Sequence, residues 1–384
     1  VSTIRILADD LTGALDTAAA FAGEVPVFID TPPALGEAYF ASAVSVVATP
    51  TRDVPPDDLP TFLQPVVDWL CSADLAYKKV DSLLRGNTFA EIAWLLGAGK
   101  FAGAVFAPAF PAQCRLTFDN RQWVAKPGQA LQAVASPLRE AFVAQQTSVR
   151  TTVDGLGGGR DVWIPEVRDD DDLDRIAAQS VSSARQPYLW CGSAGLAHAI
   201  ARAWRLAPAA SAALPQQRCA GPTVLISASF QPVLYAQWEA LKDALPTPAI
   251  AERARREEID QAIKQAREGA LHARFDLSPR REMTQDESMT LLRENIRRIV
   301  DGLPQPGELL IVGGDTLLAL CRATGAHALL AGASIRTGWG CASLVGGVWD
   351  GTRCYSRSGA FGSVDDLLMM IRLLNGSDNR RKGN

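Results

Sequence analysis

Ile4-Arg5-Ile6-Leu7-Ala8-Asp9-Asp10-Leu11-Thr12-Gly13-Ala14-Leu15-Asp16 joins a short apolar run to a turn with two carboxylates and then to a helical pattern. Beyond the turn, Leu15, Ala18, Ala19 and Ala22 fall on one helix face, and Gly23 suits the helix end. The same rhythm returns along the chain. Val44 to Ala48 ends at Thr49-Pro50-Thr51-Arg52-Asp53, and Leu75-Ala76-Tyr77 ends at the polar stretch Lys78 to Asn87. Ala104 to Ala107 runs into Pro108 to Arg115, and Tyr188-Leu189-Trp190 runs into Gly192-Ser193-Ala194-Gly195. Unbroken apolar runs alternating with helical patterns predict strands buried on both faces, and hence an α/β fold.

The rhythm restarts with Thr223-Val224-Leu225-Ile226 before Ser227-Ala228-Ser229, and with Leu309 to Val312 before Gly313-Gly314-Asp315-Thr316. Between Ala207 and Pro222 the chain turns to Ala, Pro, Gln and Ser without periodicity, which is linker composition. The expected architecture is therefore two α/β domains, each with a mostly parallel sheet, and an active site in the interdomain cleft. Residues 1–210 form the first domain, 220–375 the second, and 376–384 a basic tail. Ala251 to Glu268 and Asp286 to Val300 read as charged amphipathic helices, the second behind a Thr284-x-x-Glu287 capping box.

Composition narrows the chemistry. At ~150 residues per domain, 384 residues fit two or three domains. A 47% hydrophobic, 21% charged chain of formal net charge −4 is ordinary globular protein, and its sign argues against a nucleic-acid partner. Charged residues interrupt every apolar stretch before the ~18 residues a membrane helix needs. No leader pattern precedes Asp9-Asp10, so a soluble, cytoplasmic protein is expected. The seven cysteines stand singly, without a C-x-x-C pair, and the three histidines, His198, His272 and His327, are far apart. Zinc, disulfide and His-triad chemistry are disfavoured, leaving carboxylates, Lys, Arg, hydroxyls and backbone amides.

In parallel α/β sheets ligands sit beyond the carboxyl ends of the strands, where every polar motif above is placed. Asp9 and Asp10 can hold a hydroxyl, act as a base or stand in the outer shell of Mg²⁺; the alternative is simple helix capping. Lys78 to Asn87 reads as an anion pocket in which Lys79 and Arg85 meet a carboxylate and Asp81 or Ser82 bonds hydroxyls. Lys78 and Arg52 extend the cationic rim. Gly313 to Thr316 and Gly359-Ala360-Phe361-Gly362 are candidate phosphate-cradling turns, with Ser227 and Ser229 in the equivalent place after the domain's first strand. No G-x-x-x-x-G-K-[ST] occurs, and no G-x-G-x-x-G opens a helix after the first strand.

Taken together, these motifs resemble the four-carbon acid sugar kinase family, long known as a domain of unknown function. Its pattern A-D-D-[FL]-T-G-A-x-D stands here as Ala8 to Asp16, T-x-T-R as Thr49 to Arg52, and K-K-x-D-S-T-L-R-G-N as Lys78 to Asn87. P-A-F-P-x-x-G-R stands as Pro108 to Arg115, and G-S-A-G-L-A as Gly192 to Ala197. The resemblance implies an N-terminal domain that binds threonate, erythronate or an oxo-tetronate, a C-terminal domain that binds ATP with Mg²⁺, and a 4-phosphate product. On that basis Asp9, Asp10, Arg52, Lys79, Val80, Asp81, Ser82, Arg85 and Asn87 are expected to bind substrate, with Asp10 or Asp9 nearest the reacting hydroxyl. Ser227, Ser229, Gly313, Gly314, Asp315, Thr316, Gly359 and Ala360 are expected to bind nucleotide; no residue is assigned to the metal.

The form Lys-Lys-Val-Asp-Ser looks more like the threonate and erythronate kinases than the oxo-tetronate branch. Departures from the family pattern gather in the nucleotide half: Ala228 for a glycine, Arg357 for the lysine of K-x-G-G-F-G with Ala360 for its second glycine, and Gly338-Trp339 within the P-G-x-P segment. Cys114 replaces a glycine, and the glycine expected soon after Arg115 gives way around Asp119-Asn120. The expected partners are a small sugar acid and ATP, with no nucleic acid and no membrane; a homodimer is the assembly to test. A sugar-acid-binding or regulatory paralogue is the second reading, and a dinucleotide-dependent dehydrogenase the third.

Overall fold

Five-residue apolar runs too short for helices and rich in β-branched residues pair side by side, with helices between them. The computed structural model describes residues 2–34, 39, 41–98, 100–125, 129–134, 136–182, 186–208, 220–244, 250–251, 255–279, 283–336, 338–359 and 362–379. Ala360, the last five residues and most of the expected linker lie outside them. The chain divides into two units, Val1–Leu214 with Leu329–Ala333, and Pro215–Ala328 with Ser334–Asn384.

In chain order the first unit contains β1 (Ile4–Ala8), α1 (Leu11–Ala18), β2 (Val25–Ile29), β3 (Val44–Ala48), α2 (Leu59–Cys71), β4 (Leu75–Lys79), α3 (Thr88–Gly97) and β5 (Gly103–Ala107). There follow β6 (Arg115–Phe118), β7 (Arg121–Val124), β8 (Gln132–Ala133), α4 (Leu138–Ala144), β9 (Ser148–Arg150), β10 (Asp161–Trp163), α5 (Asp170–Ser182), β11 (Tyr188–Gly192) and α6 (Ala194–Ala203). Its main sheet runs β2-β3-β1-β4-β11-β5-β10-β9, every pair parallel. Ile4, Ile6 and Leu7 are fully buried, as strands covered by helices on both faces must be. Phe89, Phe106 and Phe142 lock α3, β5 and α4 together, two of the ring pairs edge-on at 5.0 Å. Strands β6, β7 and β8 make a separate antiparallel sheet. Asp119 and Asn120, both left-handed, form its first hairpin turn, which supplies the positive φ expected of the missing glycine.

The second unit contains β12 (Thr223–Ser227), α7 (Pro232–Ala244), β13 (Ile250–Ala251), α8 (Arg256–Arg267), β14 (His272–Asp276), α9 (Gln285–Gly302), β15 (Glu308–Val312) and α10 (Gly314–Thr324). It continues with β16 (Ala328–Arg336), whose Leu329–Ala333 counts with the first unit, and with β17 (Trp339–Val345), β18 (Arg353–Arg357) and α11 (Asp366–Asn379). The strand order is β13-β14-β12-β15-β18-β17-β16, parallel from β13 to β18, with β17 antiparallel to β18. The helix expected from Ala251 begins only at Arg256, because Ile250–Ala251 pairs with β14. The Thr284/Glu287 capping box forms as the sequence predicts and opens α9. Among the described residues, no helix is long and apolar enough to cross a membrane.

Candidate active site

In the first unit the chain leaves β1 toward β3 and β2 on one side and reaches β4 on the other. The loops after β1 and β4 therefore part at a topological switch point, where open α/β sheets form a crevice. Ala8 and Lys79 are paired neighbours across that point, so the ladder itself sets Asp9-Asp10 beside the Lys79–Asn87 loop.

Arg52, from the loop after β3, bridges both carboxylates. Its Nε and Nη2 donate to the two oxygens of Asp9 at 2.9 and 3.0 Å, and Nη2 also donates to Asp10. Asp10 at the same time caps α1, accepting from Gly13 N at 2.7 Å and from Thr12 Oγ1 at 2.5 Å. The capping reading of Asp10 is thus borne out, and the same carboxylate also meets Arg52. Burial pushes its pKa up, but Arg52, Lys79 and the bonds from Thr12 and Gly13 outweigh it, so the net direction is down. The two carboxylates likewise outweigh burial at Arg52 and hold its guanidinium more firmly protonated.

The loop after β4 is built around Asp81. Arg85 grips it with two bonds of 2.8 Å, and the Leu83 and Arg85 amides donate to it at 3.2 Å. Burial opposes ionisation of Asp81, yet the Arg85 bonds and the charges of Arg85, Arg52 and Lys79 hold it well below the usual carboxylate range. Arg85 remains 53% exposed, so this fixed guanidinium faces solvent and any anion arriving from it. Ser82 accepts from Arg115, and its carbonyl accepts from Gln122 at 2.9 Å, so β6 and β7 pin the loop from above. Asn87 spends its amide on the Thr51 and Val54 carbonyls at 2.8 and 2.6 Å, stapling this loop to the one carrying Arg52. Gly86 completes the staple: its φ is +76°, and a Cβ there would stand 2.6 Å from the Arg52 carbonyl oxygen. Val80 is buried and contributes backbone, its carbonyl accepting from Lys79 Nζ at 2.9 Å.

Lys78 corrects the sequence reading. It is not on the rim; its side chain is 1% exposed and paired at 2.5 Å with Glu91 of α3, itself 1% exposed. Alternation along β4 sends Lys78 under the sheet, where only an opposite charge makes its burial tolerable.

Two neighbours went unselected. Asp16 of α1 and His198 of α6 are electrostatically coupled to each other, and Asp16 is coupled also to Lys79, Asp10 and Arg115. Asp16 closes the Ala8 to Asp16 motif and was the available signal; His198 had none. At α6, Ser193 caps the helix and donates to the Ala109 carbonyl at 2.8 Å. Gly195 is required there because a Cβ would meet that same carbonyl at 2.8 Å.

The second unit has its own switch point between β12 and β15, since the chain moves from β12 to β13 and β14 on one side and returns at β15 on the other. Gly313, at φ +114°, caps α10, with Gly314, exposed Asp315 and buried Thr316 in its first turn. Gly359 packs against Ser229, whose Oγ would stand 2.2 Å from a Cβ on that glycine. Ser229 is partly open, whereas Ser227 is buried and its Oγ accepts from Trp238 Nε1 at 2.8 Å. Arg357 is spent internally, ion-paired with Asp366 at 3.1 Å and bonded to Gln237. Among the described residues no group of three or more His, Cys, Asp or Glu could hold a metal.

Paired carboxylates, fixed guanidinia and hydroxyls gather at the switch point of a parallel α/β sheet, and residues 4–151 match the family described as "Sugar-binding N-terminal domain". Nearly the whole chain is similar to a D-threonate kinase of Cupriavidus necator, 28% identical over 93% of this chain and 94% of that protein. It is also similar to a D-threonate kinase of Bordetella bronchiseptica, 27% identical over 95% and 96%. A Salmonella typhimurium LT2 protein of solved structure, provisionally named a tRNA synthase, shares the fold with a TM-score of 0.72 at 18% identity, over 94% of this chain and 97% of its own. Residues 4–151 thus carry the sugar-binding N-terminal domain, and nearly the whole chain resembles the D-threonate kinases.

Proposed function

We propose that this protein transfers the γ-phosphoryl group of ATP to the 4-hydroxyl of a four-carbon sugar acid, with D-threonate or D-erythronate as the leading substrates and 3-oxo-tetronate as a further one. The observation that carries this reading is the cluster at the β1/β4 switch point. It holds an exposed, oriented Arg85 and nearby Lys79 for a carboxylate, with Asp9, Asp10 and Ser82 for hydroxyls. The similarity to D-threonate kinases along nearly the full chain supports it. Arg52, Val80, Asp81 and Asn87 fix the loops that present these groups, and Asp9 and Asp10 orient the reacting hydroxyl.

Phosphoryl transfer needs positioning and charge neutralisation more than covalent help. In this reading Ser229, Gly313, Gly314, Asp315, Thr316 and Gly359, with Ala360, bind the nucleotide, and Mg²⁺ enters with it as part of the substrate. The free amides at the start of α10 favour a phosphate. An ATP-dependent enzyme of this kind belongs in the cytoplasm.

A chain that binds the sugar acid but transfers poorly is the second reading, favoured by Ala228 and by the engagement of Ser227 and Arg357 inside the fold. A coupled ADP-release screen over D- and L-threonate, D- and L-erythronate and the oxo-tetronates separates the two. Turnover on one of them supports the kinase; micromolar sugar-acid binding without turnover supports the second reading.

A further inference from the structure

We propose that Asp16 accepts the proton of the reacting hydroxyl, an assignment that rests on the kinase reading above. A proton acceptor needs an unoccupied oxygen that ligand can reach. Every oxygen of the other site carboxylates already accepts at least one bond. Arg52 occupies both oxygens of Asp9, Asp10 is taken by Arg52, Thr12 and Gly13, and Arg85 spans Asp81. Asp16 is exposed, and among the described residues its carboxylate makes no hydrogen bond or ion pair.

Its location on α1 follows from helix geometry. Thr12, Gly13 and Asp16 are three and four residues apart and share a face. On that face a Cβ at Gly13 would lie 3.1 Å from Lys79 Nζ and 2.7 Å from Asp10 Oδ2, so the missing side chain opens the space beside the site. The charges that act on Asp16 are those of Lys79 from β4, His198 from α6, Asp10 at the N-cap of α1 and Arg115 from β6. Crowding by the protein and the charge of Asp10 outweigh the cations and move the Asp16 pKa upward from the ordinary carboxylate value.

In the transfer step the substrate hydroxyl oxygen forms a bond to the γ-phosphorus of ATP. The bond from that phosphorus to the β,γ-bridging oxygen breaks, and its electron pair leaves on ADP. The hydroxyl proton passes to an Asp16 oxygen and from there to solvent. Asp9 and Asp10 hold the hydroxyl in line through their remaining lone pairs, while their bonds to Arg52 leave its proton to the unpaired Asp16.

The test is Asp16→Asn, which preserves shape and removes the base. Sugar-acid affinity is measured by calorimetry, and kcat and kcat/KM are followed from pH 5 to 9. Expected are sugar-acid affinity within about threefold of the parent, a kcat lower by about 100-fold or more, and loss of the acid limb of the kcat/KM profile. A variant with kcat within about threefold and the acid limb intact overturns the assignment and leaves the kinase reading standing, as does a variant that no longer binds the sugar acid. A parent protein that binds sugar acid but yields no ADP with any tetronate overturns both.

Discussion

Replacing Lys78 with Met should expose how the first unit supports its site. Lys78 and Glu91 are each 1% exposed and 2.5 Å apart, and Lys78 Nζ also donates to the Lys79 carbonyl at 3.2 Å. Burial already raises the Glu91 pKa against the pull of Lys78, and the charge of Asp9 adds to that rise. Without the lysine, Glu91 must stay charged and unpaired or take up a proton. Breaking a buried pair in this way costs ~3–5 kcal/mol. The penalty has a pH signature, because a carboxyl whose folded pKa lies above its unfolded value of ~4.3 loses stability as pH rises between the two, at ~1.36 kcal/mol per unit. For a unit of roughly 200 residues, 3–5 kcal/mol is a fall in Tm of about 6–20 °C. Urea unfolding at pH 5 and pH 7 measures it, with the Lys78→Met/Glu91→Leu double variant as control. The double variant should recover to within about 1–2 kcal/mol of the parent, the residue being the lost bond to Lys79. A single variant within about 1 kcal/mol of the parent at pH 7, or a penalty independent of pH, would refute the reasoning.

Two further outcomes follow from the loop geometry. Gly86→Ala places a Cβ at φ +76° and 2.6 Å from the Arg52 carbonyl. It should cost at least ~1–2 kcal/mol and raise the sugar-acid KM more than the ATP KM, which steady-state kinetics at varied concentrations of each substrate will show. Asp81, whose folded pKa is depressed, contributes stability in full above the ordinary carboxylate value of ~3.9 and loses it as pH falls further. Acid unfolding followed by circular dichroism should therefore show stability falling more steeply with pH below about 4 in the parent than in Asp81→Asn.

The parallel sheets were legible because their strands are covered on both faces and read as unbroken apolar runs; Ile4–Ala8, Val44–Ala48 and Thr223–Ser227 form as the runs suggest. Strand β14, His-Ala-Arg-Phe-Asp, carries no such signal. Its Arg274 is nevertheless buried, donating to the Leu241 carbonyl at 3.5 Å, and that partner is 33 residues away. The short strands β6 to β8 mix polar and apolar residues and are defined by pairing rather than by pattern. At the site, the residue types and their convergence on strand ends could be read from local motifs. Their partnerships could not. Nothing local reveals that Lys78 turns inward to Glu91, that Arg52 bridges Asp9 and Asp10, or that the Ser227 hydroxyl serves Trp238. Cys114 is a case in between: it stands where the family pattern has glycine, and its φ of +53° shows the left-handed backbone that a glycine would accommodate.

The central claim is that a phosphoryl group moves from ATP to the 4-hydroxyl of a four-carbon sugar acid. Phosphorus-31 NMR of the purified full chain with Mg·ATP and D-threonate or D-erythronate tests it most directly. The account predicts a new phosphomonoester signal that correlates with the C4 protons and grows in step with ADP. Unchanged ATP, or ADP and inorganic phosphate without a phosphoester, across the threonates, erythronates and oxo-tetronates would contradict it.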